Sequence, residues 1–206
     1  MWVVKLGGSL AYSPELPHWL SALAHTDAVI VPGGGPFADT VRQTQKHSGY
    51  TDACAHDMAL LGMHQYGLML SDLGGFRRFS KPDHLPRDRD QPWVWLPWPE
   101  DLAKAEITPS WNITSDSLAI WLTERLASNR LLLVKSVTPT AEEWKSGQTR
   151  TISCKELSLL QLVDPAFASF FLDAALDAWL CGPTNHTALG DALDHPENYF
   201  IRIAQG

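Results

Sequence analysis

Short apolar runs rich in β-branched and aromatic residues recur along the chain at 2–6, 28–31, 93–96, 131–134, 178–181 and 199–203. Runs of this length, bounded by turn residues, predict buried strands. Between most of them lie segments of helical period, at 14–25, 36–47, 52–70, 116–127, 165–176 and 185–193. Strands alternating with helices argue an α/β fold: a three-layer αβα sandwich around a largely parallel sheet.

The predicted helices carry end signals. Pro36 can open its helix at the first position and Gly49 can close it, while Thr51, Asp164 before Pro165, and Thr184 after Gly182-Pro183 are N-cap candidates. In the helix from Asp116, Leu118, Ala119, Leu122 and Leu126 fall on one face, which predicts a core side. The stretch 80–99 holds Pro82, Pro86, Pro92, Pro97 and Pro99 beside Trp93, Trp95 and Trp98, and reads as an irregular excursion around one short edge strand. Residues 138–148 read as a polar loop.

Composition narrows the class. A length of 206 residues fits one domain at roughly 100 to 200 residues per domain. A hydrophobic share of 45% and a charged share of 19% exclude a disordered or low-complexity chain. Against 16 Lys and Arg stand 23 Asp and Glu, a net charge of −7, so the surface as a whole repels a nucleic-acid backbone. An anionic ligand must then be held by a few placed cations and backbone N–H groups. Cys54, Cys154 and Cys181 are odd in number and widely spaced, which argues reduced thiols rather than a disulfide framework or a zinc site. No export signal or membrane-length apolar run is read, and the expectation is a cytoplasmic chain.

Glycines follow the first two predicted strands directly, as Lys5-Leu6-Gly7-Gly8-Ser9 and as Pro32-Gly33-Gly34-Gly35-Pro36. Ligands of open α/β sheets sit beyond the carboxyl ends of strands, where glycine lets backbone N–H groups approach a phosphate and a helix N-terminus adds its dipole. One such turn is ordinary strand-to-helix geometry; two, with a lysine beside the first, predict two phosphate cradles. Neither is a Walker A loop or a G-x-G-x-x-G turn, so P-loop and dinucleotide readings lose their main support. A third signal is Trp111-Asn112-Ile113-Thr114-Ser115-Asp116-Ser117, where Thr114 or Ser115 could simply cap a helix and Asp116 complement its dipole.

Through Val4-Lys5-Leu6-Gly7-Gly8-Ser9, then Val31-Pro32-Gly33-Gly34-Gly35-Pro36-Phe37-Ala38, then Ile113-Thr114-Ser115-Asp116-Ser117, the chain resembles the amino acid kinase superfamily of aspartate, glutamate and uridylate kinases. The resemblance covers essentially the whole chain, 1–206, as a single compact kinase domain with an acceptor-binding half near 1–110 and a nucleotide-binding half near 111–206. Within the superfamily it is similar to the short methanofuran-pathway branch, which phosphorylates [5-(aminomethyl)furan-3-yl]methyl phosphate to the diphosphate. The branch features are the length, Ser110-Trp111, His56, Leu162-Val163-Asp164-Pro165-Ala166-Phe167 and the Gly182 loop.

The resemblance implies ATP and Mg²⁺, the ion bridging ATP phosphates without direct protein ligands, and a small-molecule phosphomonoester acceptor. It implies a homo-oligomer. Lys5 would touch the transferred phosphoryl group and Asp116 would orient the lysines. Lys135, at the end of the predicted strand 131–134, would either bring a second cation to the leaving phosphates or stand as a solvated strand-end lysine. Gly7, Gly8, Ser9, Ser115 and Gly182 would hold nucleotide phosphates; Gly33, Gly34, Gly35 and His56 would hold the acceptor. Arg42, Arg77 and Arg78 could meet an acceptor phosphate or stay solvated. Many family members carry Val-Asp-Gly where this chain has Val137-Thr138-Pro139, a departure beside the nucleotide pocket. Other acceptors on the same fold, a nucleoside monophosphate, an isoprenoid phosphate or an amino acid, stay open, as does a non-catalytic ligand-binding or storage protein.

Overall fold

The computed structural model describes residues 1–87, 89–137 and 149–205. The loop expected over 138–148, and two of the three residues at 137–139, lie outside these described residues. The strands are β1 (Trp2–Leu6), β2 (Val29–Pro32), β3 (Arg77–Phe79), β4 (Trp93–Trp95), β5 (Arg130–Val134), β6 (Arg150–Ser153), β7 (Asp177–Cys181) and β8 (Ile201–Ala204). The helices are α1 (Leu16–Leu23), α2 (Gly35–Ser48), α3 (Asp52–Gly74), α4 (Pro99–Lys104), α5 (Ser115–Arg125), α6 (Cys154–Leu159), α7 (Phe167–Asp173) and α8 (Leu189–Asp194).

All strands join one sheet in the order β3-β4-β2-β1-β5-β7-β8-β6. Among the described residues every pairing is parallel except β7 with β8. Side chains alternate across a strand, so each strand feeds two layers. Val3, Val29, Val31, Leu131, Leu133 and Leu180 pack with α5, α6 and α7 on one face. Val4, Leu6, Ile30, Leu132, Val134 and Cys181 pack with α1 and α8 on the other. This is the three-layer αβα arrangement that the sequence pattern predicts. No helix among the described residues is long and apolar enough to cross a membrane.

Several local expectations need correction. β4 lies inside the sheet between β3 and β2, not at its edge. The edges are β3 and β6, whose polar sequences Arg77-Arg78-Phe79 and Arg150-Thr151-Ile152-Ser153 carry no apolar run. An edge strand needs a partner on one side only and is protected by charge, so it escapes a search for buried strands. The helix at 116–127 has more than one core side: from Ser115 to Thr123 all but Trp121 are buried, since α5 packs against α7 as well as against β1, β2 and β5. The segment 185–193 divides into a 3-10 turn, Asn185–Ala188, and α8. Thr51 caps α3, its hydroxyl accepting from the Cys54 N–H at 3.2 Å. Thr184 makes no side-chain cap, and Asp164 caps a helix other than its own.

Candidate active site

β1 and β2 run side by side and in register, so their glycine turns emerge together at the carboxyl edge of the sheet. The turns meet backbone to backbone. A Cβ on Gly8 would stand 2.2 Å from the Gly35 nitrogen, and one on Gly33 would stand 2.3 Å from the Gly8 nitrogen. Gly35, with φ +56°, also adopts the left-handed conformation that glycine enters without cost. The N–H of Gly7 donates to the Val134 carbonyl at 3.2 Å, and that of Gly33 to the Leu6 carbonyl at 2.8 Å. Both close the turns onto the strands, while Gly8, Ser9, Gly34 and Gly35 line a common cavity. Gly182 stands at the end of β7, where its N–H donates to the Asn185 side-chain oxygen at 2.9 Å. That donor shapes the loop and is not offered to a ligand.

The pleat of β1 sends Lys5 to the same face as Val3, under α5. Asp116 occupies the first turn of α5, where the helix dipole favours a carboxylate. Lys135 follows β5 directly, fixed by its N–H to the Cys181 carbonyl at 3.0 Å. Three segments far apart in the chain thereby converge on one atom. Asp116 Oδ1 lies 2.8 Å from Lys5 Nζ and 2.6 Å from Lys135 Nζ. The side chains are 8%, 5% and 11% exposed, so this charge cluster is largely shielded from water.

Burial alone would push the Asp116 carboxyl up, but the Lys5 and Lys135 ammonium groups and their hydrogen bonds outweigh it and hold it at about 2. Burial, then the neighbouring Lys5 charge, pulls Lys135 down to about 8 against the opposing pull of Asp116. Two ammonium groups share one carboxylate, which leaves one positive charge in excess.

A cavity of about 290 Å³ opens beside this cluster, bounded by both glycine turns, α2, α3 and the segment before α5. Leu60, Met63, Ile113 and Leu118 supply apolar walls. The Arg42 guanidinium lies 4.5 Å over the Trp111 ring and donates to Asp39 at 3.0 Å. Trp111 in turn donates through Nε1 to Gln45 Oε1 at 2.8 Å. His56, only 4% exposed, places Nδ1 3.0 Å from the Ser110 carbonyl oxygen. Its Nε2 has no protein partner among the described residues, and the residue lines the cavity.

The structure therefore brings together Lys5, Asp116, Lys135, Gly8, Ser9, Gly34, Gly35, Ser115 and His56. Of the three arginines considered, Arg42 lines the cavity, whereas Arg77 and Arg78 stand on edge strand β3. The sequence offered no direct sign of the Arg42–Trp111 stack, because it depends on how α2 meets the segment before α5.

No protein-family model matches the chain. It is 25% identical to [5-(aminomethyl)furan-3-yl]methyl phosphate kinase of Methanocaldococcus jannaschii over 212 aligned positions, which cover 98% of this chain and 97% of that one. Among solved structures, uridylate kinase from Archaeoglobus fulgidus superposes with a TM-score of 0.65 at 16% identity, covering 99% of this chain and 100% of the other. UMP kinase from Bacillus anthracis superposes with a TM-score of 0.67 at 15% identity, covering 98% and 95%. The fold is the amino acid kinase fold.

Proposed function

We propose that this chain, a phosphotransferase of the amino acid kinase fold, transfers the γ-phosphoryl group of ATP to a small phosphomonoester, with [5-(aminomethyl)furan-3-yl]methyl phosphate as its acceptor. The observation that carries the reading is the buried excess positive charge of Lys5, Lys135 and Asp116 at the mouth of two touching glycine turns. Desolvating that charge is costly unless an anion completes it. Phosphoryl transfer needs little covalent help from a protein; it needs positioned cations and N–H donors around charge that spreads over the phosphoryl oxygens.

In this reading Lys5 meets the transferred group, Lys135 meets the leaving phosphates, and Asp116 holds both ammonium groups in place. Gly8 and Ser9 face the nucleotide phosphates; Gly34, Gly35, Arg42 and His56 Nε2 face the acceptor phosphate. An acceptor phosphate oxygen is already a nucleophile at neutral pH, so no general base is required. Leu60, Met63 and Ile113 suit a flat apolar ring, and Asp39 on the rim suits a cationic aminomethyl group. Mg²⁺ brought in on the nucleotide would supply further charge neutralisation. The residues suit that arrangement, since Asp116 is held by two ammonium groups and aims them rather than binding a cation. The acceptor side falls near 1–110 and the nucleotide side near 111–206, with 111–118 shared between them. Homo-oligomer assembly finds support in α3, where Met58, Leu61 and Leu68 are exposed on one face; sedimentation equilibrium tests it.

The deciding experiment is Mg²⁺-dependent ADP release with ATP and the furan phosphate, run beside UMP, isopentenyl phosphate and an acceptor-free control. Selective turnover of the furan phosphate supports the acceptor. Selective turnover of another acceptor discards it and keeps the kinase, while the absence of both turnover and ATP binding discards the kinase.

A pH profile gives a second check. Lys135 acts as an ammonium group, so kcat/KM for ATP should fall as pH rises through about 8, with kcat falling later because bound phosphates favour the charged form. Its contribution to stability runs the other way. From about 8 up to the ordinary lysine value of 10.5 the unfolded chain binds the proton that the folded chain has released, so that contribution rises with pH. An alkaline limb unchanged in Lys135→Met would remove Lys135 as its origin.

A further inference from the structure

Thr114 holds the N-cap position of α5, yet its side chain caps nothing in that helix. The cap comes from Asp164, in the segment between α6 and α7. Asp164 Oδ2 accepts from the Thr114 N–H at 2.9 Å, the Thr114 hydroxyl at 2.9 Å and the Ser117 N–H at 3.0 Å, and Oδ1 accepts from the Ser117 hydroxyl. The carboxylate is buried, the residue being 7% exposed. A second tie joins the same segments, the Ala166 N–H donating to the Asn112 carbonyl at 3.0 Å. The two residues pinned by Asp164 flank Ser115 and Asp116. The turn that aims Asp116 at both lysines is thus clamped at its two ends by a carboxylate from another part of the chain.

We propose that Asp164 is a positioning residue for the reaction proposed above: by capping α5 from outside it fixes the direction of Asp116, and through Asp116 the two ammonium groups. The inference rests on that reading of the site. The cap satisfies donors that a helix N-terminus leaves open and sets a negative charge against its positive dipole end. Without it the first turn is free to fray, and a displacement of about 1 Å can cost on the order of 10²-fold in rate.

The test compares Asp164→Ala with Asp164→Asn in kcat, in KM for ATP and acceptor, in thermal unfolding, and in the titration of Lys135 followed by NMR of carbon-13-labelled lysine side chains. Asparagine can still accept the three bonds at Oδ2, and the Ser117 hydroxyl can turn to accept from its amide. Asp164→Asn is therefore expected to stay within ~3-fold of wild-type kcat and Asp164→Ala to lose ~30-fold or more, with KM for ATP changing less than kcat. In Asp164→Ala the Lys135 midpoint should fall below its wild-type value, because the Asp116 charge that raises it has moved away. A folded Asp164→Ala with wild-type kcat and an unmoved Lys135 titration overturns the inference, as does equal loss in both variants. Should Asp164→Ala not fold, Ser117→Ala removes one of the four bonds and is expected to lower kcat several-fold with the same downward shift; no change in either overturns it. If the wild-type chain neither turns over an acceptor nor binds ATP, the kinase reading fails, while the Lys135 titration still decides the positioning role.

Discussion

Lys5→Ala is expected to lower kcat by on the order of 10²-fold or more, and Asp116→Asn by a similar factor, in steady-state ADP release. Lys5 Nζ and Lys135 Nζ share a single carboxylate oxygen, so each substitution changes the field at the site differently. Without Lys5, Asp116 pairs with Lys135 alone and the excess positive charge that attracts phosphate is gone. Without the Asp116 charge, two ammonium groups face each other in a buried setting, and the Lys135 midpoint falls further below about 8. The Asp116→Asn variant should therefore recover part of its activity at more acidic pH, where Lys135 regains its proton, whereas Lys5→Ala should not. Lys5→Ala should keep the fold, because the sheet pairs Lys5 through its backbone whatever its side chain. Unchanged turnover in both would remove the lysine pair from the mechanism.

What the sequence made legible follows from where each residue gets its partners. β1, β2, β5 and β7 lie in the middle of the sheet and are buried on both faces, so each announces itself as an apolar run. β3 and β6 are half-open edges whose charged residues resemble loop. Lys5, Gly8, Gly34 and Asp116 were legible because they sit in local motifs that a known superfamily shares. Lys135 could be placed only by the rule that strand ends face the site. Asp164 read as the cap of its own helix because local spacing favours that; the structure gives it to α5 instead, where four donors outweigh what one local turn offers. The Arg42–Trp111 stack was beyond local reading for a related reason: one partner comes from α2 and the other from the segment before α5.

The glycine turns make the second large prediction. An alanine at position 8 would set its Cβ 2.2 Å from the Gly35 nitrogen and 2.6 Å from the Gly35 Cα, both backbone atoms that no rotamer change can move aside. The turns must part, and Lys5 and the mouth of the acceptor cavity, which Gly8 and Gly35 both line, must shift with them. Because catalysis here is positioning, kcat/KM for both substrates should fall by on the order of 10²-fold. Gly190→Ala is the matched control. Position 190 lies in α8 with nothing within 4 Å of an added Cβ, so the helix should gain stability by up to about 1 kcal/mol and turnover should not change. Gly49→Ala separates strain from crowding, since Gly49 has open space but φ +70°. It should cost roughly 1 kcal/mol in stability and leave kcat/KM alone. Thermal melts and steady-state kinetics on the three variants distinguish the cases. A Gly8→Ala protein as active as wild type would mean that the contact between the two turns is not what sets the geometry of the site.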